Sequence, residues 1–372
     1  MTGTSKTIVS ELLNSVDVCV DGARPWDIQV HNEETYARIL KKGALGAGES
    51  YMDGWWDCAA LDQLFFRVIR ADLGARLRKN TMLLLKLALL TVLNRQTKQR
   101  AWDVGKKHYD LGNDLFVAML DSRLVYTCGY WKEAKNLEQA QLNKLKLTCE
   151  KLMLEPGMRL LDIGCGWGAL AKYAAENYGV SVVGVTISEQ QYAYAQKNCA
   201  GLPIEIRLQD YRDLTGQFDR VVSLGMFEHV GHLNYPVYME TVHRCLVDEG
   251  LFLLHTIGDN VVEASTNEWI DKYIFPNGVL PYITHIGRAT EKLFVMEDWH
   301  NFGADYDKTL MAWHDNFNSN WKKLEKTGGD RFFRMWNYYL LSSAGAFRAR
   351  YMQLWQIVFS KKGRVGGYVC QR

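Results

Sequence analysis

The chain has 372 residues, longer than one typical domain, so two domains are expected. Its composition, 48% hydrophobic and 23% charged, is that of an ordinary globular protein and excludes a disordered or fibrous chain. The net charge of +2 is unremarkable as a total, so its distribution along the chain carries the information.

The amino terminus lacks a long apolar core behind Lys6, and no secretory signal is expected. Residues 24–31 read as a short strand after a turn at Asp21-Gly22. Asn32 is expected to cap a helix with Tyr36, Ile39 and Leu40 on one face, ending at Gly43. GALGAGESYMDGWWDC (43–58) is rich in glycine and aromatics and reads as a turn-rich segment. A further helical pattern starts at Leu61, with Leu64, Phe65, Val68 and Ile69 apolar. Residues 1–90 are thus expected to form a small α+β module.

Between Arg67 and Lys107 stand eleven basic residues, opposed only by Asp72 and Asp103. Within this stretch, the apolar run Met82 to Leu93 is interrupted by Lys86 and is too short to span a bilayer. Two readings stay open: a core helix flanked by solvated charges, or a helix that touches anionic lipid. Leucines rather than aromatics are interleaved with the charges, which argues against a nucleic-acid partner. Residues 91–105 serve as the linker. Eight cysteines lie scattered without a CxxC pair, the pattern of reduced thiols in a cytoplasmic protein, and give no support to a metal site.

From about residue 106 a second domain runs to 372. Asn136 can cap a helix reaching Lys151, and strands are expected at 158–164, 180–188, 204–208, 218–224 and 250–256 with helices between. GALAKYAAENYG is one of those helices, stopped by Gly179, and Ser188 with Gln191 forms a capping-box pattern for the next. The βαβ rhythm implies an α/β fold, a doubly wound and mostly parallel sheet that holds its ligand at the carboxyl ends of the strands. After Ile257 the rhythm breaks for some thirty residues, and an insertion at about 258–290 is expected over the mouth of the site. Two helical stretches (307–325 and 330–348) and a terminal strand, MQLWQIVFS, complete the chain.

The strongest local signal is LLDIGCGWG, a strand running into Gly164-x-Gly166-x-Gly168 and then a helix. Glycine is needed where a side chain would block the turn or the ligand's approach to the backbone. The spacing is not the GxGxxG of dinucleotide binders, and the second strand ends in Val185-Thr186-Ile187 without the acidic residue that holds a ribose diol. Such a loop suits a nucleoside with an amino-acid tail and no pyrophosphate. DIGCGWG, with Asp162 ahead of the turn, resembles the first motif of class I S-adenosylmethionine methyltransferases. LQDYRD falls where that family contacts adenine. There Asp210 would accept from the adenine amino group and Tyr211 would pack on the ring, the plainer alternative for Asp210 being a loop cap.

A narrower resemblance rests on HYDLGNDLF (108–116), YTCGYWKEAKNLEQAQLNKL (126–145), VVGVTIS, GMFEHVG (225–231), LFLLHTIG (251–258), NEWIDKYIFPNG (267–278) and FGADYDKTLMAWHDNF (302–317). These blocks resemble cyclopropane fatty-acid synthases over about nine-tenths of the chain, and the amino-terminal module favours the bacterial phospholipid enzymes. The resemblance implies transfer of a methyl from S-adenosylmethionine to the cis double bond of a phospholipid acyl chain. A carbocation-like centre forms, and ring closure follows loss of a proton to a bound bicarbonate ion. By motif, Cys128, Glu228, His255, Ile257 and Tyr306 would hold that ion, Cys128 and Ile257 through backbone groups. Tyr306 would also steady positive charge with its ring face. Tyr126, Thr127, Thr186, Gln191, Tyr211 and Arg212 join Asp162, Gly164, Gly166, Gly168 and Asp210 as cofactor contacts. Family members often carry a cysteine in the block LLSSAGAF, where this chain has Ser343. The implied partner is a bilayer with unsaturated acyl chains, met by a cytoplasmic, peripheral enzyme on the inner face of the membrane. A homodimer stays open. Rival readings are a methyltransferase that quenches the cation with water and a lipid carrier without catalysis.

Overall fold

The computed structural model describes residues 2–72, 112–259 and 267–372. The leucine-rich run 82–93, the basic residues 76–107, the linker 91–105 and the first four residues of HYDLGNDLF lie outside the described residues. The chain divides into two compact units. One comprises Met1–Leu115, Glu263–Pro276 and Trp313–Tyr351, the other Phe116–Val262, Asn277–Ala312 and Met352–Arg372.

In the first unit, helix α1 (Thr2–Asn14) precedes β1 (Gln29–Val30), α2 (Glu34–Met52), β2 (Trp56–Asp57) and α3 (Leu61–Arg70). The two short strands pair antiparallel, Gln29 opposite Asp57. Asn32 does accept from a backbone N–H, that of Glu34 at 2.9 Å, but the capping position itself is Glu33. Helix α2 breaks at Gly43, where φ is 54° and ψ −131°, and then resumes to Met52. The expected turn-rich segment is therefore half helix. Its glycines answer to packing: a Cβ on Gly46 would lie 2.2 Å from the Arg38 carbonyl, and one on Gly48 2.3 Å from the Trp269 ring. Trp269 belongs to a short helix, Glu268–Tyr273, within the segment expected as an insertion. Beside it, buried Glu49 accepts from Lys272 Nζ (2.7 Å), Arg38 Nη2 (2.9 Å), Tyr273 Oη (3.1 Å) and Lys42 Nζ (3.2 Å).

The second unit is built on a seven-stranded sheet of β3 (Arg159–Ile163), β4 (Ser181–Thr186), β5 (Ile204–Leu208), β6 (Phe218–Leu224), β7 (Leu246–Asp259), β8 (Val295–Asn301) and β9 (Met352–Ser360). The order is β5-β4-β3-β6-β7-β9-β8, parallel from β5 to β7, with β9 antiparallel to both its neighbours. Helices α4 (Gly112–Met119), α5 (Leu137–Lys151), α6 (Ala169–Tyr178), α7 (Glu189–Asn198), α8 (Tyr235–Cys245) and α9 (Ile283–Thr290) follow in chain order. The long α10 (Ala304–Arg348), which belongs to this unit only as far as Ala312 and to the first unit from Trp313, joins the two stretches expected at its place, with a break at Gly329. One apolar cluster gathers Leu161, Val221, Phe252 and Ile357 with helix α8, and another gathers Leu160, Val222, Leu253 and Val358 with helices α5 and α6. Alternate residues of the same strands thus fill both faces, so the strands read as continuous apolar runs. Strand β8, not expected from the sequence, is an edge strand of sequence VMEDWHN with mostly exposed or half-exposed side chains. It has no apolar run to announce it.

Candidate active site

The glycine turn follows β3 and leads into α6, with Gly164, Gly166 and Gly168 at φ 86°, 55° and 84°. The Gly164 and Cys165 N–H groups donate to the Val185 carbonyl at 2.9 and 3.0 Å, which pins the turn to the end of β4. The three glycines differ in what a side chain would meet. A Cβ on Gly164 would lie 2.7 Å from Met226, and one on Gly168 2.7 Å from Cys199 Sγ; at Gly166 no protein atom comes within 4 Å. Gly166 therefore faces open space, as a backbone that receives a ligand should.

Asp162, the residue before last in β3, is buried, and burial pushes its pKa up to about 7 against the opposing charge of Lys144. At the end of β4, Thr186 Oγ1 donates to Gln191 Oε1 at 2.9 Å and accepts from Ser188 N–H at 3.1 Å. Ser188 Oγ caps α7 by accepting from Gln191 N–H at 3.3 Å. The reciprocal half of the expected capping box is missing because the Gln191 side chain is turned to Thr186. Asp210 caps the short turn Tyr211–Asp213 through Arg212 N–H and pairs with the Arg212 guanidinium, both at 2.9 Å. The plainer alternative for Asp210 is thus present in the fold. Tyr211 is buried beside Tyr238, ring centroids 5.1 Å apart, with Arg212 4.9 Å from its centroid.

The loop 125–131 carries Tyr126, Thr127 and Cys128, and two helices grip it. From α5, Gln141 Nε2 donates to the Thr127 carbonyl and Lys144 Nζ to Thr127 Oγ1, both at 2.8 Å. From the first turns of α10, Thr309 Oγ1 accepts from Gly129 N–H (3.0 Å) and Trp131 Nε1 (2.8 Å), and Asp305 accepts from Trp131 N–H at 2.8 Å. The Cys128 thiol is fully buried, donates to the Gly129 carbonyl at 3.2 Å and lies 3.9 Å from Thr309 Oγ1. Burial, with Asp305 adding to it, holds that thiol protonated, so it is no nucleophile. Tyr306 is buried in the first turn of α10, three residues before Thr309. The Tyr126 ring meets Phe116 edge-on at 5.2 Å.

The third part lies where β6 and β7 end. Glu228 Oε1 accepts from Ile257 N–H at 2.7 Å, and its Oε2 is buried with no hydrogen-bond partner among the described residues. Burial pushes the Glu228 carboxyl up to about 7, with the Ile257 N–H and the Thr256 hydroxyl pulling the other way. His255, two residues before Ile257 on β7, sits opposite Leu224 of β6 and receives the Gly225 N–H on its carbonyl at 2.9 Å. Its ring is buried, and Nε2 likewise has no partner. Burial, then the nearby Lys144 and Lys151, drive its pKa well below the usual histidine value.

Glu228 is thus joined to the Ile257 backbone, two residues beyond His255 on β7, and Glu228 and His255 each carry a buried polar atom without a partner among the described residues. Unpaired buried groups of this kind cost roughly 1–3 kcal/mol each, so a ligand group that satisfied either would be held with a comparable gain. Cys128 is tied to the start of α10, next to Tyr306, and the glycine turn with Thr186 and Gln191 forms a separate cluster on β3 and β4. Sequence reasoning missed Thr309, Gln141, Lys144, Thr148 and Gln356. The signal available for three of them was their spacing on α5: 141, 144 and 148 recur on one helical face.

A family model described as mycolic acid cyclopropane synthetase matches residues 96–357. The cyclopropane-fatty-acyl-phospholipid synthase of Escherichia coli (strain K12) is 56% identical over 354 residues, covering 95% of this chain and 93% of that protein. The solved cyclopropane synthase MmaA2 from Mycobacterium tuberculosis superposes with a TM-score of 0.65 at 30% identity, covering 72% of this chain and all (100%) of its own. The mycolic acid cyclopropane synthase CmaA1, solved in complex with SAH and CTAB, gives a TM-score of 0.65 at 31% identity, with 72% of this chain and 100% of that chain covered.

Proposed function

The chain belongs to the mycolic acid cyclopropane synthetase family, and on that premise we propose that it is an S-adenosylmethionine-dependent enzyme that converts a cis double bond in a phospholipid acyl chain to a cyclopropane. The observation that carries the chemistry is the pair of buried, unpartnered atoms, Glu228 Oε2 and His255 Nε2, with Glu228 anchored by the Ile257 N–H. S-adenosylmethionine, when bound, supplies the electrophilic methyl on a positive sulfonium. Gly166 leaves the backbone open to it, Asp162 and the Thr186–Gln191 pair border the same strand ends, and Tyr126, Thr127, Asp210, Tyr211 and Arg212 complete the proposed contacts.

Attack by the double bond leaves positive charge on the acyl chain, and ring closure requires loss of a proton from the newly added methyl. Bicarbonate, when bound, would supply the base for that proton; Glu228 and His255, through their unpartnered polar atoms, would be the side chains that hold it. Cys128 contributes backbone groups and Tyr306 a ring face suited to a cation. Glu228 with its pKa near 7 is poised to share the released proton. No helix among the described residues is long and apolar enough to cross a membrane. The proposed setting is peripheral, on the cytoplasmic face of the bilayer.

Incubation of phospholipid vesicles with methyl-labelled S-adenosylmethionine tests this reading. Label is expected in the fatty acids, at a rate that falls on carbonate removal and returns on re-addition. A rate indifferent to carbonate rules out the ion, and absence of label from the acyl chains contradicts the function.

A further inference from the structure

His255 does not stand alone in the sheet. On β9, directly opposite it, is Gln356, and opposite Gln356 on β8 is His300, so the three side chains form one cross-strand row. Helix α5 lies along this row. Gln356 Nε2 is 3.3 Å from His255 Nδ1 and 3.2 Å from Thr148 Oγ1. Thr148 Oγ1 in turn donates to the Lys144 carbonyl at 2.8 Å. Further along the same face, Lys151 Nζ donates to His300 Nδ1 at 3.1 Å.

Counting hydrogens along this chain fixes its direction. The one hydroxyl hydrogen of Thr148 is spent on the Lys144 carbonyl, so toward Gln356 its oxygen can only accept. The amide must therefore present its NH2 there, one hydrogen to Thr148 Oγ1 and the other to His255 Nδ1. The opposite amide orientation would bury two N–H donors without partners; the observed one leaves only Gln356 Oε1 unpaired, the more tolerable defect. A His255 Nδ1 that accepts a hydrogen bond carries no proton, which places the ring proton on Nε2, the orphaned atom.

We propose that Thr148 and Gln356 are positioning residues that hold His255 as its Nε2–H tautomer, so that the imidazole enters the site as a hydrogen-bond donor. Neither residue reaches the reacting atoms. They act through His255, and the role in turnover rests on the bicarbonate reading above, although the tautomer itself does not. The opposite tautomer would aim a lone pair at an anion's oxygen, repelling what the site must hold. The titratable groups that bear on His255 are Lys144 and Lys151 of α5, which oppose a second proton on the ring when charged and whose pKa values burial brings down to about 8. His300 is kept neutral beside Lys151, its pKa brought down to about 4 chiefly by burial.

The test is long-range 15N NMR of the intact protein labelled at histidine, with the His255 signals identified by their loss in His255→Gln. The wild type should show a protonated Nε2 and a bare Nδ1 from pH 6 to 8. Gln356→Glu replaces the donor by an acceptor, and should move the proton to Nδ1 or charge the ring. Its kcat should fall by about 100-fold or more, with the KM for S-adenosylmethionine unchanged. Thr148→Val frees the amide to flip and should reproduce part of that loss, while Thr148→Ser, which keeps the hydroxyl, should restore the wild-type spectrum and rate. Because Gln356→Glu buries a carboxylate, the Thr148 pair decides the matter if that variant does not fold. A wild-type His255 protonated on Nδ1 overturns the proposal, as does a folded Gln356→Glu or Thr148→Val enzyme with unaltered spectrum and kcat. A rate indifferent to bicarbonate alongside an Nε2–H wild type would overturn the ion and leave the tautomer standing.

Discussion

Glu228 combines two properties that pull against each other, a proposed role in turnover and a charge that burial disfavours. Its pKa rises from 4.5 to about 7 on folding, so the folded state keeps a proton that the unfolded chain gives up. Stability is therefore lost as pH rises from about 4.5 through 7, at up to roughly 3 kcal/mol by the usual conversion. Glu228→Gln keeps the acceptor for Ile257 N–H and removes the charge. It should melt with the wild type at pH 4.5, melt several degrees higher at pH 8, and lose most turnover without losing cofactor affinity. Equal melting curves at pH 8 would contradict the buried carboxylate. Gly166 makes the complementary case. The Cβ of Gly166→Val would meet no atom beyond its chain neighbours within 4 Å, so its cost to stability is expected to be chiefly backbone strain of about 1–2 kcal/mol. Calorimetric titration should show loss of cofactor binding, whereas Gly168→Val, which collides with Cys199 Sγ, should chiefly lower the melting temperature. Gly166, Glu228 and His255 were all legible as members of sequence blocks. Gln356, which bonds His255, and Thr148 behind it were not, because a glutamine in an apolar strand and a threonine in a helix carry no local sign of what they face.

Strand β7 shows how an element holds its site residue. It runs on past the stretch expected from apolar character, to Asp259, because β9 pairs with it over the whole way from Leu251 to Asp259. Gly258 lets the fully buried Trp355 ring lie across the strand: a Cβ there would come within 2.1 Å of it. Gly258→Ala must displace the ring or the strand. We expect a loss of about 1–3 kcal/mol, read by urea denaturation, and a fall in kcat because the neighbouring Ile257 N–H anchors Glu228. A variant as stable and as active as the wild type would show that the strand end tolerates displacement. The parallel strands were readable from their apolar runs, and α5 from Asn136, whose side chain does accept from Gln139 N–H at 2.9 Å. What was not readable were the edge strand β8 and the second half of α2. There the residues answer to distant neighbours: Gly48 to Trp269, and β8 to its partner β9.

For the molecule as a whole, the proposed substrate poses a difficulty, because an acyl double bond lies inside a bilayer and the enzyme must reach it. Docking through a surface is the proposed answer. Arg78, Lys79 and Arg95, outside the described residues, flank the leucine-rich run and remain the proposed contact. At about 1 kcal/mol per basic side chain, replacing all three by alanine should weaken binding to anionic vesicles about 100-fold, with little change on neutral ones. Unchanged co-sedimentation would move the contact elsewhere, most directly to residues 273–280. The sequence could pose this question but not decide it, because a basic, leucine-rich stretch satisfies a solvated helix and a lipid-facing one alike. The reaction itself can be decided by mass. Phospholipid vesicles are incubated with S-adenosylmethionine bearing a CD3 group, and the fatty acids are then weighed. Cyclopropane formation requires that the site remove one deuteron, so the acyl chain should gain CD2 and lose its double bond. A product that keeps all of the CD3 group, with or without the elements of water, would contradict deprotonation at this site.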